Sequence, residues 1–296
     1  MPSLRRLGAA ALAAAAVAGP ALAHGTITPG APPGWTTDPW VTAPLAVSAG
    51  LYAVGWLRLR RRAEGGRERL ARGGLLFAGG WILLAGALVS PLHQAGERSF
   101  AAHMLEHELL MLGAAPLLVA ARPAAALLWA FPVGGRRLLA GLGRGPVNAA
   151  WRALTEPITA TLVQAAALWL WHAPSLFDLA LASDGWHIVQ HVCFFGSALL
   201  FWSAMLHDRR GRGAGLAAIC LFATSVVTGA LGAFMTFSVS PWYAGYAALG
   251  LAPMGLTPTE DQQLAGLLMW VPGGLVHAVA ALAILARLFR NAPEPG

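Results

Sequence analysis

Two pairs of histidines, His103/His107 and His187/His191, share a four-residue spacing, and each pair stands at the start of a long apolar stretch. Positions four apart on a helix differ by about 40° around the axis and about 6 Å along it, so each pair projects to one side and can hold one ion or neighbouring ions. Imidazole nitrogen suits copper, zinc and iron. Cys193 and Cys220 lie in separate apolar blocks without CxxC spacing, which argues against a purely thiolate site or a disulfide framework. A lone histidine in an apolar helix is ordinarily a hydrogen-bonded core residue. Two matched pairs shift the balance, because each ionisable group placed in hydrocarbon is costly and tends to mark function.

The elements that carry these pairs are set by composition. The 296 residues are 57% hydrophobic and 11% charged, with a mean hydropathy of +0.59, more apolar material than a soluble core needs. It is gathered into blocks of bilayer-spanning length at residues 41–59, 73–90, 100–121, 155–171, 186–206, 214–237 and 263–289. Isolated strands cannot satisfy their backbone in lipid, so the expected fold is all-α, a polytopic bundle of seven transmembrane helices over residues 41–290. Ahead of it, Arg5 and Arg6, an apolar run and Ala21-Leu22-Ala23 read as a cleavable signal peptide over residues 1–23, followed by a short extracytoplasmic segment over 24–40. Residues 291–296 form a tail.

Every basic residue is arginine, and the net charge of +7 is spread over short connections rather than one polar domain, which speaks against nucleic acid as a partner. Seven arginines fall between Arg58 and Arg72, and ten more lie in the connections and tail assigned to the same side. The opposite side has Arg98 alone. This asymmetry places the mature N-terminus outside and the C-terminus in the cytoplasm, in agreement with the export signal. Both histidine pairs then lie in the outer turns of their helices, His172 ends the fourth helix at that face, and His93 lies on the outer connection.

Neighbouring residues extend the candidate set. Glu106, about 60° from His103 on the helix, could orient that imidazole or serve as a ligand itself. Met111 continues the His103/His107 stripe with a thioether. Asp261 precedes the last helix at the same face, where it either attracts a cation or caps a helix; Asp178, after His172, poses the same choice. His24 follows the cleavage site, and a terminal residue with both amine and imidazole can chelate copper. His277 lies about 21 Å down the last helix, beyond Pro272-Gly273-Gly274, where a bend and lost backbone bonds are expected. It is either a second polar station or a buried residue bonded to a neighbouring helix.

Four ordered stretches carry a resemblance. His103-Met104-Leu105-Glu106-His107 with Ala115-Pro116-Leu117-Leu118, Trp169-Leu170-Trp171-His172-Ala173-Pro174, Trp186-His187-Ile188-Val189-Gln190-His191, and Asp261-Gln262-Gln263-Leu264-Ala265-Gly266 with Met269-Trp270-Val271-Pro272 resemble the signature blocks of the CtaG family of cytochrome c oxidase assembly proteins. The resemblance implies a seven-helix protein of the bacterial cytoplasmic membrane that serves assembly of haem–copper oxidases by supplying copper to the catalytic subunit.

Together the residues and the resemblance lead to one expectation: copper, received from the outer surface or from periplasmic carriers, is held at His103, His107, His187, His191 and His172 and passed to the oxidase. No nucleophile–base pair, phosphate loop or dinucleotide fingerprint supports turnover chemistry. Two alternatives use the same histidines, a copper importer with inward stations at Met111 and His277, and a bis-histidine haem protein in quinol-linked electron transfer. The topology is open to direct measurement. Cysteine reporters at Arg67 and Arg210 should be protected from impermeant reagents in intact cells while one at Thr259 reacts; the reverse pattern would move the paired histidines to the cytoplasmic face.

Overall fold

Apolar runs that leave the backbone no outside partner must close their hydrogen bonds locally, and the described residues do so in helices alone. The computed structural model describes residues 32–206 and 212–290. The expected signal peptide, His24, His207, Arg210 and the tail lie outside them. The helices are α1 Pro39–Arg62, α2 Arg67–Val89, α3 Pro91–Gly96, α4 Phe100–Glu108, a π-helical segment Leu109–Ala114, α5 Ala115–Ala120, α6 Ala124–Trp129, α7 Val133–Leu142 and α8 Pro146–Leu154. They continue as α9 Pro157–Trp171, α10 Pro174–Ala182, α11 Asp184–Leu206, α12 Arg212–Thr236, α13 Ala244–Ala248 and α14 Pro258–Arg290, all within one unit spanning Pro33–Gly296.

Among the described residues five helices are long and apolar enough to cross a bilayer: α1, α2, α11, α12 and α14. The protein is therefore a multi-pass membrane protein. A sixth span arises if α9 and α10 count together, although they bend by 72° where they meet. The block expected as a span at 155–171 is a helix of 15 residues that ends at Trp171, and the bend follows it. The cause is local: Pro174 pushes the residue before it out of the helical region, and Ala173 takes φ −62°, ψ 129°. The expected span at 100–121 is helical from Phe100 to Ala120 but changes hydrogen-bond register at Leu109. Pro116 explains the change, since it lacks an N–H and its ring crowds the carbonyl one turn earlier. Trp202 of α11 donates its Nε1–H to the carbonyl of Met111 at 2.8 Å, so the loosened segment keeps a buried partner. Pro272, by contrast, does not interrupt α14, which runs unbroken for 33 residues. The connection between α5 and α9, expected only as an arginine-bearing loop, holds three short helices.

The main core is built from Phe100, Met104, Phe177, Phe194, Phe201, Trp202, Met205, Leu221 and Met235, while a smaller cluster around Tyr52, Phe77 and Leu118 joins α1 and α2 to α5 and α6. Outward faces carry exposed Leu75, Ile82, Leu162, Val192, Phe222 and Leu282, as lipid contact requires. The chain directions of α4, α11 and α14 put His103, His187 and Asp261 at one end. Arg62, Arg69, Arg72, Arg122 and Arg287 line a cavity of about 1000 Å³ at the other.

α12 and α14 pack closely through glycine. A Cβ built on Gly266 would lie 2.5 Å from the Gly232 carbonyl oxygen and 2.7 Å from the Thr236 nitrogen, both rigid backbone. Gly266→Ala should therefore force the pair apart, at a cost of about 1–3 kcal/mol. Thermal unfolding in detergent would read this as a lowered midpoint, and an unchanged midpoint would contradict the packing.

Candidate metal centre

The helix that carries His103 and His107 is capped at Ser99. Its side-chain oxygen accepts from the Ala102 nitrogen at 3.2 Å and donates to Asp261 Oδ1 at 2.8 Å. The same carboxylate accepts from the Phe100 nitrogen at 2.6 Å and the Ala101 nitrogen at 3.3 Å. Asp261 of α14 thus caps α4 from across the bundle, where a negative charge is also favoured by the helix dipole. Of the two roles open for Asp261 in the sequence, the structure shows capping. Asp178 behaves alike: it sits on α10 and accepts from the Ala244 and Gly245 nitrogens at the start of α13.

With α4 so fixed, five imidazoles meet. The rings of His103 and His107 are 4.3 Å apart, those of His187 and His191 4.4 Å, and the pairs face each other with His103 stacked on His187 at 5.2 Å and His107 edge-on to His191 at 5.0 Å. His93, from α3, stacks on His187 at 5.6 Å. Nitrogens of His103, His187 and His191 all lie within 4.8 Å of one another, close enough to share an ion. Neither His103 Nε2 nor His191 Nε2 has a hydrogen-bond partner among the described residues, although both are buried. Buried polar atoms left without a hydrogen bond are uncommon in folded proteins and call for a partner.

Glu106 is fully buried beside them. Its Oε1 lies 2.8 Å from His93 Nδ1 and 3.9 Å from His191 Nε2. It therefore engages His93 rather than the His103 ring expected to lie within its reach. Burial disfavours the charged form of His93, and the hydrogen bond and charge of Glu106 more than offset it, so its pKa stands above the ordinary imidazole value.

The remaining candidates lie apart from this cluster. His172 directs Nδ1 to the Leu168 carbonyl at 2.7 Å and Nε2 toward Met104 Sδ at 3.4 Å. The sulfur of Met111 accepts from Gln164 Nε2 at 3.5 Å, because the register change after Glu108 turns it off the histidine stripe toward α9. His277 bonds the Gly273 carbonyl of its own helix and stacks on Trp202 at 5.8 Å, with planes 2° apart. Its partner was expected on a neighbouring helix; the hydrogen bond is internal and the neighbour supplies a ring face.

Four residues around the site escaped sequence reasoning. Gln190 is fully buried on the turn between His187 and His191, with its amide facing His103. Its polarity inside an apolar run was the available signal. Tyr246 donates to the Gly96 carbonyl at 2.6 Å and Tyr243 to the His172 carbonyl at 3.1 Å, both from a connection without periodicity. Gly96 lets α3 close on the site, since a Cβ there would lie 3.2 Å from the His103 Cα.

A family model described as cytochrome c oxidase caa3 assembly factor (Caa3_CtaG) matches residues 50–291, which include every residue of the cluster. The chain belongs to this family. Neither a curated protein nor a solved structure matches it. Membership ties the imidazole cluster to a protein of oxidase assembly.

The cap holds the cluster's geometry and makes a prediction. Asp261→Ala should remove acceptors from three donors and destabilise the protein by about 2 kcal/mol or more. Asp261→Asn keeps one acceptor oxygen and should lose less. Thermal unfolding of the two variants would separate capping from a passive position, for which both would match the parent.

Proposed function

We propose that this member of the caa3 assembly factor family binds copper at His103, His187 and His191, with His107 and His93 adjoining and Glu106 supplying negative charge, and delivers it to the catalytic subunit of a haem–copper oxidase. The observation that carries the reading is the set of three convergent nitrogens within 4.8 Å, two of them buried without partners. Imidazoles with a nearby carboxylate suit a first-row transition ion, and the exposed apolar faces of the long helices suit lateral approach to another membrane protein. Rings packed against rings fit a bare ion better than the flat plate of a porphyrin, which favours carriage over haem-based electron transfer.

The topology proposed with this reading has seven spans, counting the Phe100 to Ala120 run and the bent pair α9 and α10 as one each. The N-terminus is then outside, the arginine-lined end is in the cytoplasm, and the protein resides in the bacterial cytoplasmic membrane. The histidines stand within the outer turns, a depth from which an ion can pass to a membrane-buried acceptor without crossing the lipid core.

Copper analysis tests the proposal. Protein purified after copper loading should lose bound metal by tenfold or more when His103, His187 and His191 are changed together to Ala, since incomplete coordination spheres bind poorly. Oxidase purified from cells carrying that variant should be present as polypeptide but copper-poor and inactive. A fully metallated oxidase in those cells would rule out the delivery role.

A further inference from the structure

We infer that His172, Met104 and His107 form a second copper site, distinct from the three-imidazole centre and selective for Cu(I). The inference rests on the copper reading of the outer cluster and assigns a different ion state to different atoms.

The Leu168 carbonyl, 2.7 Å from His172 Nδ1, can only accept, so Nδ1 carries the proton. In the neutral ring Nε2 then offers a bare lone pair. It faces Met104 Sδ at 3.4 Å, and a thioether has no hydrogen to give. His172 is 3% exposed and Met104 0%, so two acceptors confront each other in an interior without solvent. Magnitudes decide what belongs between them. A water bonded to both would hold them roughly 5 Å apart. A first-row metal ion, with bonds of about 2.0 Å to nitrogen and about 2.3 Å to sulfur, spans 3.4 Å at an angle of roughly 105°. That angle belongs to a coordination sphere with a third member.

His107 is placed to be that member. It lies one turn beyond Met104 on α4, is 1% exposed, and neither ring nitrogen has a hydrogen-bond partner among the described residues. Phe194 packs against His107 at 4.7 Å and against His172 at 5.7 Å, so one ring walls both imidazoles. His172 is held from behind as well, because Tyr243 bonds its carbonyl and stacks on Phe177 at 4.1 Å.

The donor set fixes the ion. Two neutral imidazoles and a thioether bring no negative charge, and a monovalent ion in a low-dielectric site costs far less than a divalent one. Thioether sulfur also selects Cu(I). The outer centre has the carboxylate of Glu106 beside it and is suited to a divalent ion. His107 stands between the two, edge-on to His191 on one side and sharing the Phe194 wall with His172 on the other.

The test uses the full-length protein in detergent, titrated anaerobically with Cu(I) against a competing chelator and separately with Zn(II), and examined by X-ray absorption. Cu(I)-loaded protein should show a metal–sulfur shell near about 2.3 Å. Met104→Leu, close to volume-conserving, should abolish that shell and weaken Cu(I) binding at least tenfold while Zn(II) binding is unchanged. The variant H187A/H191A should do the reverse, losing Zn(II) and keeping the sulfur shell. Should the leucine variant fail to fold, selenomethionine-substituted protein answers the same question, since the sulfur shell must become a selenium shell. Absence of a sulfur shell in the parent protein, or its survival in Met104→Leu, overturns the inner site. Unaltered metal uptake in H187A/H191A overturns the outer reading instead, so the two fail separately.

Discussion

A carboxylate on the last helix holds the first turn of the helix that bears the site. Hydrocarbon and packed side chains offer nothing to the unpaired N–H groups at a helix start, and Asp261 answers those of Phe100 and Ala101 together with the Ser99 hydroxyl. Everything that follows on α4 inherits its height and rotation from this contact: His103 toward α11, Met104 toward His172, Glu106 toward His93. The cap also couples α14, which packs closely on α12 through Gly232 and Gly266, to the imidazole cluster. The end of the bundle that holds the cluster is thus tied to backbone contacts between two other helices.

Around that anchor the polar groups sort by chemistry. Imidazoles and a carboxylate gather where α3, α4 and α11 converge, whereas the Met104 and Met111 sulfurs face α9, where His172 and Gln164 are their polar partners. Met104 stands between His103 and Glu106 on α4, so hard and soft donors are interleaved along one helix and separated by the face they occupy.

Much of this architecture was legible in the residues. The apolar blocks gave the long helices nearly to their ends, and the i, i+4 histidine spacing gave the pairs that meet, because both depend on periodicity within one segment. What could not be read depends on contacts between segments. Asp261 shows its role only when α4 is brought beneath it, and His93 joins the cluster only because Gly96 lets α3 close on His103. Met111 was carried along the histidine stripe by ideal helical geometry, which Pro116 breaks. The fourth helix ends at His172 as the sequence indicated, but the helix Pro174–Ala182 that follows stands where only a short loop was expected. His277 is the buried residue that one of its two readings expected, but its hydrogen bond is to its own helix and the neighbouring helix supplies only the Trp202 ring.

The π-helical segment between Leu109 and Ala114 has a mechanical meaning. Bonding five residues back instead of four inserts the equivalent of one residue, a rotation of about 100° between the halves of a helix that would otherwise turn as one rod. The upper half answers to Asp261 and the imidazoles, the lower half to α2 and α11. The segment therefore lets one continuous run of chain present its imidazoles to α11 at one end and its packing face to α2 and α11 at the other, two demands that a regular helix of this sequence would not meet in the same register.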